Sequence, residues 1–143
     1  MDREVIEQKL ESLRHCVQRI QQKCPAQADA LARDLDAQDI VSLNLTRAVQ
    51  LCVDIGAYLV ADRDFAPPDT MGHIFDALAE IDCIDRALAD RLKKAVGFRN
   101  IAIHNYLAID WHIVHAIAQT HLDDFTAFAR QIHVHILRGP AGE

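Results

Sequence analysis

The sequence predicts an all-α protein, an up-and-down helical bundle of four main helices and one short helix. Apolar residues recur at intervals of three and four along most of the 143 residues, which is the spacing of amphipathic helices. The signals of strands and hairpins, alternating β-branched residues bounded by Asn-Gly or Asp-Gly turns, are absent. Because 50% of the residues are hydrophobic, a disordered chain is excluded. We expect a single domain over residues 1–137 and a frayed tail over residues 138–143.

The first two helices are predicted from the apolar residues that they would bury. The first ends before Pro25 and has an apolar seam of Ile6, Leu10, Leu13, Val17, Ile20 and Cys24. The second begins at an N-cap of Asp36, with Asp39 in its first turn. It has two apolar stripes, Val41, Leu45, Ala48, Cys52, Ile55 and Leu59 beside Val49, Val53, Gly56 and Val60. We therefore expect this second helix to be the most deeply buried.

Three further helices follow a predicted loop over residues 62–69, where two consecutive prolines prevent helix formation. The short third helix is capped by Asp69 or Thr70 and carries Met71, Ile74, Phe75, Leu78 and Ile81. The fourth is capped by Asp82 and has the seam Leu88, Leu92, Ala95, Arg99, Ala102 and Tyr106. The fifth is capped by Asp110 and has the seam Val114, Ala118, His121, Phe125, Phe128 and Ile132.

Charge and cysteine content limit the classes of function. The net charge is −6, but residues 86–106 carry five basic side chains against Asp90 alone, a local net charge of +4. The four cysteines are too widely spaced for a metal cage, so we expect free thiols in a reducing compartment. No apolar run approaches the roughly 18–20 residues of a membrane span, and the first residues are charged. These features predict a cytoplasmic protein without a membrane partner.

Eight histidines raise the question of a metal site. His112 and His115 are three residues apart on the predicted fifth helix and would share a face. However, the sequence contains neither H-E-x-x-H nor the Glu-x-x-His pairs of di-iron bundles, and glycine-rich phosphate loops are absent as well. We therefore expect neither a metal nor a cofactor.

The fourth helix contains a cluster of polar residues that breaks its apolar pattern. Arg99 occupies a seam position, and four more polar residues follow within seven positions: Asn100, His104, Asn105 and Tyr106. Arginine offers a planar cationic fork that fits a phosphate, and histidine transfers protons near neutral pH. On a regular helix, residues five apart differ by about 140° and rise roughly 7.5 Å. Joint action of Arg99 and His104 thus requires that the helix end near residue 103 or that two chains contribute.

A purely structural role is the alternative for the same residues. In that interpretation Arg99 pairs with a buried carboxylate such as Asp54 or Asp76, and His104 is a hydrogen-bonded core residue.

The segment resembles the R-x(4)-H-x-Y motif of the HepT toxins, which belong to the HEPN superfamily of all-α ribonucleases. Arg99, His104 and Tyr106 carry that motif, and the likeness extends to residues 44–48, 96–100 and 110–111. The resemblance implies a metal-independent endoribonuclease that acts as a homodimer and as the toxin of a type VII toxin–antitoxin pair. It implies Arg99 and His104 as catalytic residues. It further implies Tyr106 as the acceptor of AMP from an MntA-like minimal nucleotidyltransferase antitoxin.

Neighbouring polar residues receive supporting roles in this hypothesis. Asn100 and Asn105 would orient the histidine or a phosphate oxygen. Arg91, Lys93 and Lys94 would attract the RNA backbone. The alternative function is a non-catalytic helical module that binds a partner nucleotidyltransferase or a nucleotide.

Overall fold

The computed structural model describes residues 3–61 and 70–138, and this part of the chain is helical without any strand. The all-α prediction is thereby confirmed. The helices are, in chain order, α1 (Arg3–Lys23), α2 (Ala28–Arg33), α3 (Leu35–Ala61), α4 (Met71–Glu80), α5 (Arg86–His104), α6 (Trp111–Thr120) and α7 (Leu122–Leu137), with a 3-10 turn (Tyr106–Ala108) between α5 and α6.

Helix α3 forms the centre of the bundle. It packs against all six of the other helices, and both of its predicted apolar stripes are buried along their whole length. By length and composition alone, it is the one helix among the described residues that could cross a membrane. However, 56% of its most apolar window lies inside the protein, as in a core helix. The prediction that this helix is the most deeply buried is confirmed.

Two features of the helical arrangement differ from the sequence prediction. Helix α2 has only six residues and buries only Leu31. A helix of this length is too short to show a periodic apolar pattern in the sequence. The predicted fifth helix is divided into α6 and α7, because the backbone of His121 leaves the helical conformation. His121 is therefore exposed at this break, and its prediction as a core residue was wrong.

Two helices begin at residues other than the predicted caps. Asp34, rather than Asp36, accepts a hydrogen bond from the first turn of α3. Asp85, rather than Asp82, caps α5 by accepting from the backbone N–H of Leu88 at 2.7 Å. Asp82 instead lies just after the end of α4 and has a φ of 59°, in the left-handed region. In both cases a second aspartate within three residues competes for the same role.

The caps predicted for the other two helices are confirmed. Thr70 accepts from the backbone N–H of the third residue of α4, and Asp110 does the same for the second residue of α6. The predicted loop over residues 62–69 and residues 139–143 of the predicted tail lie outside the described residues.

The cysteines are free thiols, as predicted. Cys16, Cys52 and Cys83 are buried, and Cys24 is half-buried. Burial raises the pKa of the Cys52 thiol well above its ordinary value, because the thiolate would lose its hydration. These thiols act as small hydrophobic groups of the core.

Gly56 allows α3 and α4 to pack closely. A Cβ atom at this position would collide with Ile74 Cγ2 and lie 3.0 Å from Leu78 Cδ1. We expect Gly56→Ala to lower the free energy of unfolding by about 1–3 kcal/mol, because the new methyl group would overpack two buried branched side chains. Urea unfolding followed by circular dichroism measures this change.

Gly97→Ala in α5 is the matched control. A Cβ atom there meets nothing within 4 Å, so the substitution should raise stability by about 0.5–1 kcal/mol through helix propensity. Equal stability of the two variants would contradict the proposed packing of α3 on α4.

Candidate active site

The motif residues lie where α5 ends and the chain turns. Helix α5 continues through His104, and Asn105 caps it by donating its backbone N–H to Ile101 O at 2.8 Å. The carbonyl of Asn105 then accepts from Ala108 N at 2.9 Å, which closes the 3-10 turn. The helix thus ends within one residue of position 103, near which the joint action of Arg99 and His104 would require it to end. As a consequence, the turn directs Tyr106 back towards α3 instead of continuing the helical seam.

Arg99 is half-buried and held by neutral partners. Its Nε donates to Gln50 Oε1 at 3.1 Å, and its Nη1 donates to Asn100 Oδ1 at 3.2 Å. Gln50 in turn donates from Nε2 to Asp54 Oδ1 at 2.8 Å. A guanidinium has five N–H donors, and these contacts within the described residues use two of them. The side chain is therefore oriented by α3 while most of its donors stay available for an anion.

The purely structural alternative does not match these contacts. Asp54 reaches Arg99 only through Gln50, and Asp76 forms ion pairs with Arg86 at 2.6 Å and with Lys93 at 3.0 Å. Among the described residues no carboxylate pairs with Arg99, so its interpretation as the ion-pair partner of Asp54 or Asp76 was wrong. Gln50, one helical turn before Asp54, takes that position instead.

His104 is the last residue of α5 and is exposed. Within residues 3–61 and 70–138 its imidazole has no hydrogen-bond partner, so its interpretation as a core histidine was wrong. Residues 99–104 are all α-helical, so Arg99 and His104 lie on different faces, about 140° apart. One chain by itself does not direct both side chains to one point.

Tyr106 connects the 3-10 turn to α3. Its hydroxyl donates to Asp39 Oδ1 at 2.8 Å and lies 3.5 Å from Ser42 Oγ. Its ring packs against Trp111 in an edge-to-face arrangement with the ring centroids 5.7 Å apart. Burial raises the pKa of the Tyr106 hydroxyl above its ordinary value, and the nearby Asp39 carboxylate adds to this increase. The hydroxyl is accordingly neutral at neutral pH.

The predicted basic residues of α5 differ in their surroundings. Arg91 forms an ion pair with Asp124 at 2.7 Å, and Lys93 forms one with Asp76 at 3.0 Å. Lys94 is exposed. Two of the three positive charges are therefore partly compensated by neighbouring carboxylates.

The sequence did not point to the three side chains of α3 that contact the motif: Asp39, Ser42 and Gln50. They form part of a polar stripe at helical spacing that runs beside the two apolar stripes of this helix. That stripe could have indicated these contacts from the sequence, because a polar face on the central helix of a bundle requires polar neighbours.

Within the two described ranges, no group of three His, Cys, Asp or Glu side chains is arranged to hold a metal ion. His112 Nε2 lies 3.0 Å from Asp29 Oδ1, and His115 Nε2 lies 2.9 Å from the carbonyl of Pro25. Both histidines thus connect α6 to the segment around α2.

Comparison with known proteins identifies close relatives. The chain is 35% identical to the mRNA nuclease HepT of Shewanella oneidensis over 125 residues, which are 87% of this chain and 93% of that protein. The tri-AMPylated HEPN toxin of Shewanella oneidensis in complex with MNT antitoxin superposes with a TM-score of 0.85. The alignment has 34% identity and covers 94% of this chain and 99% of that one.

A toxin–antitoxin complex with AMP-PNP superposes equally well, with a TM-score of 0.85 at 34% identity. That comparison covers 92% of this chain and 98% of the other. The sequence profile of the HepT-like ribonucleases matches residues 13–132, which include nearly all of the bundle and the whole site. The chain therefore belongs to the HepT-like ribonuclease family.

Proposed function

We propose that this protein is a metal-independent endoribonuclease and the toxin of a type VII toxin–antitoxin pair in the cytoplasm. The observation that carries the proposal is the guanidinium of Arg99, which Gln50 orients at the end of α5 with most of its donors available. The relative named as an mRNA nuclease makes RNA the expected substrate class.

Elementary chemistry explains how these residues would cleave RNA without a metal. The ribose 2′-hydroxyl forms a bond to the adjacent phosphorus while His104 accepts its proton, and the bond between that phosphorus and the 5′-oxygen breaks. The protonated His104 or water then supplies a proton to the leaving 5′-oxygen. Arg99 donates to the phosphoryl oxygens, where negative charge increases in the transition state. The expected products carry a 2′,3′-cyclic phosphate and a 5′-hydroxyl.

A homodimer would bring Arg99 of one protomer near His104 of its partner. One chain holds the two side chains on different helix faces, so a second copy is the simplest source of the missing group. Apolar side chains on the elements that carry or contact the motif remain exposed to solvent, as expected for an interface. They are Leu43, Ile101, Ile103, Leu107 and Ile113, and Leu107 is 97% exposed.

The antitoxin would be an MntA-like minimal nucleotidyltransferase that attaches AMP to Tyr106. Support comes from the related HEPN toxin, which is tri-AMPylated and bound to an MNT antitoxin. An added AMP would place a bulky anion on the turn that directly follows His104, where it would repel RNA phosphates. Tyr106 is 37% exposed, which leaves part of the side chain accessible to an incoming nucleotide.

The remaining motif residues would support these groups. Asn100 accepts a hydrogen bond from Arg99 and would limit the rotation of the guanidinium. Asn105 caps α5 and would fix the direction of His104. Lys94 would attract the RNA backbone more strongly than Arg91 and Lys93, whose charges are partly compensated by carboxylates.

Metal removal tests the proposed chemistry. We expect the purified protein to cleave total RNA at the same rate with and without EDTA, because none of the steps uses a divalent ion. The fragments should carry 2′,3′-cyclic phosphates, which a cyclic-phosphate-dependent RNA ligase detects. A parallel preparation of His104→Ala controls for contaminating nucleases. Loss of cleavage in EDTA that magnesium restores would contradict the proposal.

A further inference from the structure

We infer that Asp39 is the general base for the attachment of AMP to Tyr106, a catalytic group that the toxin itself supplies. The inference rests on the proposed function, in which a nucleoside triphosphate is the AMP donor. It concerns a residue of α3, far from the motif in the sequence.

The geometry places a proton acceptor directly on the nucleophile. The Tyr106 hydroxyl donates to Asp39 Oδ1 at 2.8 Å, a distance at which a proton transfers without rearrangement. Ser42 Oγ lies on the same hydroxyl at 3.5 Å. Asp39 is exposed at the surface of α3, so a proton that it receives can pass to solvent.

The nucleophile needs such a group. A neutral tyrosine hydroxyl is a weak nucleophile, and the partial burial of Tyr106 disfavours its ionisation before the reaction. Proton removal in the transition state avoids a free phenolate. A carboxylate that already accepts the hydroxyl proton meets this requirement.

AMP transfer exchanges one phosphorus–oxygen bond for another. Tyr106 Oη forms a bond to the α-phosphorus of the nucleotide, and the bond between that phosphorus and the bridging oxygen of the β-phosphate breaks. The hydroxyl proton moves to Asp39 Oδ1, and pyrophosphate carries away the electron pair of the broken bond. Asp39 then returns the proton to water.

Asp39→Asn separates proton transfer from positioning. The amide oxygen of asparagine still accepts a hydrogen bond from Tyr106, but it does not take up the proton. At saturating antitoxin and ATP, we expect AMP transfer to slow by about 10²-fold, the usual contribution of a general base. The rate should also increase with pH more steeply than in the wild type, because hydroxide replaces the carboxylate. Intact mass spectrometry over time measures both effects.

Asp36→Asn is the matched control, because Asp36 is an exposed acid in the first turn of the same helix. It should transfer AMP at the wild-type rate. Thermal unfolding verifies that all variants are folded. A wild-type rate in Asp39→Asn, combined with slow transfer in Asp39→Ala, would reduce Asp39 to a positioning residue and overturn the inference. Absence of AMP on Tyr106 of the wild type would overturn the proposed function as well.

Discussion

Replacement of His104 by alanine is expected to slow RNA cleavage by about 10²–10⁴-fold, the usual contribution of a general acid or base. Arg99→Ala should slow it by about 10²–10³-fold, because the charge of the transition state would lose its fixed donors. Both rates are measured on a short synthetic RNA under single-turnover conditions. His104 is exposed and Arg99 is only half-buried, so the fold should tolerate both substitutions.

His133→Ala is the matched control for His104→Ala, since His133 is an exposed histidine on α7. Cleavage by this variant should equal that of the wild type, and circular dichroism should show unchanged helix content in all three proteins. Wild-type rates in both motif variants would contradict the catalytic assignment and favour a module that only binds its partner.

The same two variants test whether the site is shared between protomers. In an equal co-refolded mixture, half of the dimers contain one chain of each variant. If Arg99 and His104 act across the interface, one of the two sites in such a dimer is intact, and about a quarter of the wild-type activity returns. If both residues act within one chain, the mixture stays inactive.

Tyr106→Phe is expected to abolish AMP attachment completely, because it removes the only oxygen of the side chain. After incubation with the antitoxin and ATP and removal of the antitoxin, this variant should still cleave RNA, whereas the modified wild type should not. Peptide mapping by mass spectrometry locates the AMP group on the wild-type chain.

Tyr58→Phe is the control for that variant, since Tyr58 is the second tyrosine of the chain and lies half-buried in α3. Its modification should match that of the wild type. An AMP group mapped to Tyr58, or to a hydroxyl outside the turn between α5 and α6, would contradict the assignment of Tyr106.

The sequence predicted most of the fold because apolar periodicity is a local signal. The buried stripes of α3 and the end of α5 near His104 were both recognisable from residues within a few turns. Helix α2 and the break at His121 were not, because one spans fewer than two turns and the other depends on how α6 and α7 pack. The sequence also did not predict the N-cap correctly where two nearby aspartates could each cap the same helix.

The motif was visible in the sequence, but its partners were not. Gln50 precedes Arg99 by 49 residues, and Asp39 precedes Tyr106 by 67 residues. Such contacts depend on how α3 and α5 align, which no local pattern encodes. The sequence did reveal that Arg99 required a polar partner, and the fold decided that this partner is an amide rather than a carboxylate.

Helix α3 holds two residues with proposed roles, Arg99 in RNA cleavage and Tyr106 in the control of that cleavage by AMP. The partners of Arg99 and Tyr106, Gln50 and Asp39, lie eleven residues apart on that helix, about 16 Å along its axis. A mutation that shifts or loosens this helix disturbs both contacts at once. We therefore expect substitutions in the core around α3 to impair RNA cleavage and AMP attachment together. Variants that keep RNA cleavage but no longer accept AMP are expected to change surface residues and leave the interior intact.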